Sequence, residues 1–200
     1  MAIIDPVELA GSNGGGKETS KVRRCGAGRK LVMPVGFFHR EINGAPVVDI
    51  HSVCISDLDD ENDVDEGAEL IDTFWLNDKS LWRLAKFALR LGWQEPFDPD
   101  SPESLGEVLS RGPVIAAVQI VEKNGYENQR VDANGYEMHN LASDPTTNMP
   151  ELSTHQRGLV EQAERRVAGL IRWKAEQSGG SPKRDMPTGN ANINDDEIPF

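Results

Sequence analysis

Two strand-like runs joined by an Asn-Gly pair constrain the fold more than any other part of this sequence. Residues 31–40 and 45–56 are rich in Val, Ile and Phe, and Asn43 and Gly44 lie between them. Branched and aromatic side chains favour strands, and Asn-Gly favours the tight turn of a β-hairpin. The pattern predicts a long antiparallel hairpin at the start of a β-rich core.

Later segments continue the β pattern with one helix inserted. We expect a third strand at 69–76 and then a helix that begins at a cap, Asn77 or Asp78, and ends at Gly92. A short helical turn at 102–109 and strands at 113–122 and 127–133 follow. The last helix begins at a capping box formed by Ser153 and Gln156 and continues through residue 173. A hairpin, a third strand, a helix and a second hairpin is the order of an OB-fold. We therefore predict a mainly β protein with helices: an OB-fold barrel plus a C-terminal helix and disordered tails.

Composition divides the chain into four parts. The hydrophobic content of 38% supports one modest core. The segment that ends the chain is mostly Gly, Pro, Ser, Asn, Thr and Ala, which bury too little surface to offset the entropy of ordering. The expected parts are a flexible basic N-terminal arm (1–30), the core (31–140), a connector with the C-terminal helix (141–177) and a disordered linker with an acidic tip (178–200).

The formal net charge of -12 is concentrated in two places. Residues 57–72 hold nine acids and no base, and Asp195, Asp196 and Glu197 add three more, which leaves the rest of the chain neutral. We expect the run 57–69 to be a solvated loop, because unpaired carboxylates are not buried. An alternative is that the carboxylates of this loop mimic the charge of DNA. A calcium site is disfavoured because Asn62 replaces the turn glycine of an EF-hand.

Basic and aromatic residues outside the acidic runs are candidates for holding single-stranded nucleic acid, since cations neutralise phosphates and aromatic faces stack on bases. The candidates are Arg23, Arg24, Arg29 and Lys30 in the basic arm, Phe38 and Arg40 on one face of the first strand, Trp75 on the third strand, Lys79, Arg83, Lys86 and Arg90 in one stripe of the helix, and Tyr126 and Arg130 in the last hairpin. Each group has an alternative explanation. The basic arm is also explained as a solubilising leader, the helical stripe as the solvent-exposed face of an ordinary helix, and Trp75 as a core residue.

The last six residues, Asp195-Asp196-Glu197-Ile198-Pro199-Phe200, combine three acids with an aliphatic side chain, a proline and an aromatic. This arrangement suits presentation to a partner that has a basic rim and an apolar pocket. The hexapeptide resembles the acidic Ile-Pro-Phe tip of bacterial and phage single-stranded DNA-binding proteins. The resemblance implies that the tip recruits replication, recombination and repair proteins and competes with DNA for the binding groove.

The core also resembles a phage family of small OB-like domains associated with recombination. The residues that carry this looser likeness are the strand 72–76, the Trp-bearing helix that ends before Gly92, the Val-rich strand after it and Asn128 in the last hairpin. Together the two resemblances imply a protein that coats single-stranded DNA without strong sequence preference. The alternative is a recombination mediator or DNA-mimicking adaptor whose barrel binds protein. Self-association through the last helix stays open.

Motifs of catalysis are missing from the sequence. The run 11–17 nearly matches a phosphate-binding loop, but Glu18 stands where Ser or Thr would hold magnesium. His51 and Cys54 supply at most two zinc ligands. We expect no enzymatic activity and no cofactor. With no apolar run near the roughly 20 residues of a membrane span and no signal pattern, the expected location is the cytoplasm. The resemblance to bacterial and phage proteins implies the cytoplasm of a bacterium or an infected host cell.

Overall fold

The computed structural model describes residues 22–60, 62, 64–123, 125–139 and 152–179. Within these ranges the chain forms five strands and three helices. They are β1 (Gly28–Ile42), β2 (Ala45–Asp57), β3 (Glu69–Trp75), α1 (Leu81–Arg90), α2 (Pro102–Leu109), β4 (Val114–Lys123), β5 (Tyr126–Met138) and α3 (Thr154–Gly179). The mainly β architecture with a C-terminal helix confirms the coarser part of the sequence prediction.

The five strands form one antiparallel sheet in the order β3-β2-β1-β4-β5. The β1–β2 hairpin turns at Asn43 and Gly44, whose φ angles of 52° and 76° are both positive. Only glycine and asparagine adopt such angles readily, which is why this dipeptide sets the turn. β1 lies at the centre of the sheet because its first half pairs with β4 as well as with β2.

The main core lies between one face of the sheet, here called the inner face, and the helices α1 and α2. Phe74 of β3, Phe87 of α1 and Tyr136 of β5 are buried and contact one another, with ring centroids 4.7 to 6.4 Å apart. Leu84 completes the apolar face of α1. α1 begins after Ser80, a few residues later than the predicted cap, because residues 77–80 form a turn.

α3 packs against the outer face of β1 and β2. A second buried cluster there joins Met33 and Ile55 of the sheet to Ala163 of the helix. The close approach depends on Gly36, where a Cβ would lie 2.6 Å from the Val167 side chain. The helix predicted after the capping box at Ser153 and Gln156 therefore belongs to the same folded unit as the sheet.

The two edge strands, β3 and β5, form no backbone ladder with each other in the described residues, so the closed barrel of the sequence prediction is not observed there. Side chains bridge this edge instead. The Tyr136 hydroxyl donates to Asp72 Oδ2 at 2.6 Å, and the Gln129 amide donates to the Glu69 carbonyl at 3.0 Å. We call this boundary the β3–β5 seam.

The basic arm and the acidic loop are joined by a buried ion-pair cluster that the sequence analysis did not foresee. The Lys30 ammonium lies 2.5 Å from Asp57 Oδ2 and 2.8 Å from Asp65 Oδ2, with about 4% of its side chain exposed. Asp65 also accepts the Gly26 amide at 2.7 Å. The sequence analysis expected Lys30 in a flexible arm and residues 57–69 in a solvated loop. Both expectations are wrong at these positions, because the charge of Lys30 permits burial of Asp57 and Asp65 and their charges permit burial of Lys30.

Glu69 is a further buried acid of the run that was expected to be solvated. Arg166 of α3 lies 2.7 Å from Glu69 Oε1. The chain around Arg24 pairs with β3 at Glu69, since the Cys25 amide donates to the Glu69 carbonyl and the Glu69 amide to the Arg23 carbonyl. Residues 22–30 of the predicted flexible arm are thus part of the folded unit.

Replacing Lys30 with methionine should destabilise the protein by about 3–5 kcal/mol, because Asp57 and Asp65 would stay buried without their cation. The measurement is the free energy of unfolding in urea. Arg29→Met is the matched control, since Arg29 pairs with Glu137 at 2.7 Å on the surface and both side chains are about half exposed. Its expected cost is about 0–1 kcal/mol. Equal losses in the two variants would contradict the structural role of Lys30.

Candidate nucleic-acid interface

Three of the predicted binding residues share the outer face of the sheet. The register pairs Arg40 with Val47 and Val47 with Trp75, and it places Phe38 one step along the same face. Trp75 is 38% exposed even though the neighbouring Phe74 is 1% exposed. Alternation along β3 explains this difference, and it leaves an indole at the surface in line with a guanidinium.

Arg40 is held in a fixed position by a buried carboxylate. Its Nε donates to Asp49 Oδ2 at 2.5 Å and its Nη2 to Asp49 Oδ1 at 3.1 Å, while the Thr73 hydroxyl donates to the same carboxylate at 2.6 Å. Burial opposes ionisation of Asp49, but the hydrogen bonds from Arg40 and Thr73 outweigh it and lower the pKa of this carboxyl. The bidentate pair orients the guanidinium and offsets much of its charge.

Phe38 has a cationic neighbour that sequence reasoning missed. The Lys174 ammonium, from the second half of α3, lies 4.3 Å from the centre of the Phe38 ring. This distance is typical of a cation–π contact. The helical periodicity of α3 predicts its apolar stripe but not which strand its basic residues reach, so only the packing of α3 reveals Lys174 as part of this face.

A groove of about 530 Å³ opens at the β3–β5 seam, beside this face. Ile71 and Thr73 of β3 line one wall and Asn128 and Gln129 of β5 the other, with Arg24 at the border. The outer face and the groove are continuous through Thr73. Amide, hydroxyl and aliphatic groups in one concave site can hydrogen-bond to the edge of a ring and contact its faces.

The predicted stripe of cations on α1 is not one exposed track. Arg83 lies inside the seam, where it donates to Asp72 Oδ2 at 2.5 Å, to the Thr73 carbonyl at 2.9 Å and to the Val131 carbonyl at 2.7 Å. Arg83 is therefore a structural residue. Lys79, Lys86 and Arg90 are exposed, and Lys86 donates to the Asn134 side chain at 2.9 Å.

The seam buries titratable groups that the sequence analysis did not single out. Burial raises the pKa of the Asp72 carboxyl, although Arg83 and Tyr136 both donate to it. Burial and the neighbouring Asp72 charge likewise raise the pKa of Tyr136. Their hydrogen bonds, with those of Arg83, hold β3 to β5.

The remaining candidates are spread over the surface. Arg23 donates to the Glu66 carbonyl, Arg29 pairs with Glu137, and Arg130 pairs with Asp132 at 3.1 Å. Arg24 is exposed at the seam groove. The Tyr126 side chain and the hexapeptide 195–200 lie outside the residues that the structure describes.

His51 and Cys54 do not form a metal site in the described structure. Both are buried, and burial lowers the pKa of His51. Across the described ranges, no group of three or more His, Cys, Asp or Glu side chains is arranged to hold a metal ion. The free thiols of Cys25 and Cys54 are also buried.

No protein-family model matches the chain, and no curated protein matches it at a significant level. Among the described helices none has the length and apolar character needed to cross a membrane.

Asp49→Asn should make the free energy of unfolding less dependent on pH in acid. Because the pKa of Asp49 is lowered in the folded state, its contribution to stability is present above the unfolded pKa and is lost as the pH falls through the folded pKa. The window lies below about pH 4. Urea unfolding across this range measures the effect, and Asp98→Asn, an exposed carboxyl, is the control. Equal flattening in both variants would contradict the role of Asp49.

Proposed function

We propose that this protein binds single-stranded DNA without strong sequence preference and recruits replication, recombination and repair proteins through residues 195–200. The single observation that carries the proposal is the hexapeptide Asp195-Asp196-Glu197-Ile198-Pro199-Phe200. Its likeness to the tip of bacterial and phage single-stranded DNA-binding proteins is specific in both composition and order. The fold and its outer face add independent support.

The arrangement of strands is compatible with an OB-fold. β1 pairs with both β2 and β4, α1 lies between β3 and β4 in the chain, and side chains bridge β3 to β5. OB-folds are partly open five-stranded Greek-key barrels that bind oligonucleotides on the face of strands 2 and 3. We interpret the sheet as an OB-like barrel whose β3–β5 seam is held by side chains.

The outer face supplies the groups that unpaired nucleotides need. Trp75 offers an exposed ring for stacking, and Phe38 offers a second ring next to Lys174. Arg24 borders the seam groove, where Asn128 and Gln129 supply polar atoms. Stacking tolerates any base, whereas cations bind the phosphates that all sequences share. The proposed DNA path runs from Trp75 through Thr73 into the seam groove.

The adaptor alternative draws less support from the structure. A DNA mimic built on residues 57–69 needs its carboxylates at the surface, but Asp57, Asp65 and Glu69 are buried against Lys30 and Arg166. Asp59 stays exposed, although it accepts the Arg29 amide at 2.7 Å. Fewer charges of this run are therefore directed outward than its sequence suggests.

Oligo-dT should quench the tryptophan fluorescence of the full-length protein, and the affinity should fall as salt rises because bound counterions are released. Trp75→Ala should weaken binding by about 1–3 kcal/mol, or roughly 5- to 150-fold. Trp82→Ala is the matched control, since Trp82 is 49% exposed on α1, outside the proposed path.

Two results would count against this function. Full-length protein that ignores oligo-dT in dilute buffer would favour the adaptor. Equal losses in Trp75→Ala and Trp82→Ala would place the DNA elsewhere.

Phe200→Ala should abolish partner recruitment while leaving the affinity for oligo-dT unchanged or slightly higher. The aromatic side chain is the expected anchor in a partner's apolar pocket, and the hexapeptide repels DNA through its acids. Pull-down from cells that make the protein, followed by identification of replication and recombination proteins, compares this variant with Met186→Ala in the linker. Weaker DNA binding by Phe200→Ala would contradict competition between the tip and DNA.

A further inference from the structure

The second half of β4 extends beyond the strand that pairs with its first half. β1 pairs with β4 only as far as Val118, which lies opposite Gly28. Before Gly28 the chain turns away, with a φ of 119° at that glycine, toward β3, where Arg24 pairs with Glu69. Residues 119–123 therefore pair with β5 on one side, and no strand of the described ranges pairs with their other side. We call this side the open β4 edge.

The register of the β4–β5 hairpin shows which backbone groups face the open β4 edge. Lys123 and Tyr126 are paired across a two-residue turn, and the closing pair of such a turn is hydrogen-bonded. Hydrogen-bonded and non-hydrogen-bonded pairs alternate along an antiparallel ladder, so residues 119, 121 and 123 bond to β5. The N–H and C=O groups of Ile120 and Glu122 consequently point away from β5, into the open edge.

Apolar side chains lie at the centre of this edge. Ile120 is 40% exposed and Val121 is 37% exposed, on opposite faces of the hairpin. Proteins commonly protect an exposed edge with proline, a bulge or several charges, whereas residues 119–122 contain no proline and one charge, on Glu122. Unpaired backbone groups beside exposed apolar side chains are a template for one more strand.

A second copy of this edge fits the first in one register. An antiparallel pairing with its two-fold axis at Val121 places Ile120 of each copy opposite Glu122 of the other, so the outward-facing backbone groups of both residues are satisfied. An axis at Glu122 would place two carboxylates directly opposite each other. An axis at Ile120 would need backbone groups of Val118, which pairs with β1.

We propose that the open β4 edge pairs with the same edge of a second copy of this chain to form a two-fold dimer. The apolar residues then meet around the axis, and the two Glu122 carboxylates lie at the ends of the interface. A second copy is the favoured occupant because the pairing closes both open edges at once, whereas an added peptide leaves its own far edge unpaired. The interface is short, so the dimer is weak and dissociates on dilution. The proposal does not rest on DNA binding.

Sedimentation equilibrium of the full-length protein, from low micromolar to submillimolar concentration, should show a reversible monomer–dimer equilibrium. Glu122→Pro should raise the dissociation constant of the dimer by roughly 5- to 150-fold, because each copy loses one N–H donor of the interface and none of the β5 ladder. Glu127→Pro is the matched control. Glu127 lies opposite Glu122 in the hairpin, so its N–H points to the other edge and the dimer should persist.

Charge at residue 120 tests the register. Ile120→Glu places a carboxylate opposite Glu122 of the second copy and should weaken the dimer, whereas Ile120→Lys places an ammonium there and should retain it. Urea unfolding checks that each variant is folded. Equal weakening by these two substitutions would overturn the register. A protein that stays monomeric at every concentration, or a dimer that Glu122→Pro leaves unchanged, would overturn the proposal.

Discussion

One guanidinium donates hydrogen bonds to both sides of the β3–β5 seam, which Tyr136 and Gln129 also bridge. Arg83 projects from α1 and donates to Asp72 and to the Thr73 carbonyl on β3 and to the Val131 carbonyl on β5. Its guanidinium also lies 4.5 Å from the centre of the Phe74 ring. Two edge strands that lack a backbone ladder leave polar groups unpaired, and those groups must be satisfied by other means if they are buried. The outer face that carries Trp75 keeps its shape because this seam is held.

α3 determines which part of the sheet stays accessible. By packing on β1 and β2 over Gly36, it buries an outer surface that an isolated five-stranded sheet would leave open. The exposed remainder runs from Trp75 to the seam groove, with Lys174 of α3 at its border. α3 thus covers one part of the outer face and contributes Lys174 to the part that stays exposed. If the protein binds a single strand as proposed, this arrangement restricts that strand to one route.

Buried ion pairs reduce the part of the net charge that acts at the surface of this protein. The formal charge of -12 includes Asp57, Asp65 and Glu69, which are buried against Lys30 and Arg166. Such pairs cancel locally and contribute little to the field that an approaching ligand meets. Cations without acidic partners, such as Arg90, therefore shape the surface more than the total suggests. The same pairing fixes the first residues of the folded unit to the loop between β2 and β3.

Local sequence determined most helices and strands of this protein, whereas only the tertiary structure decided which side chains are buried or contact one another across distant segments. Asn43 and Gly44 set the first hairpin because few other residues adopt positive φ, and alternation along β3 puts Phe74 and Trp75 on opposite faces of the sheet. The burial of Lys30, the internal position of Arg83 and the contact of Lys174 with Phe38 could not be predicted. Each depends on charges or rings brought from distant parts of the chain, and periodicity along one element carries no information about what packs against it.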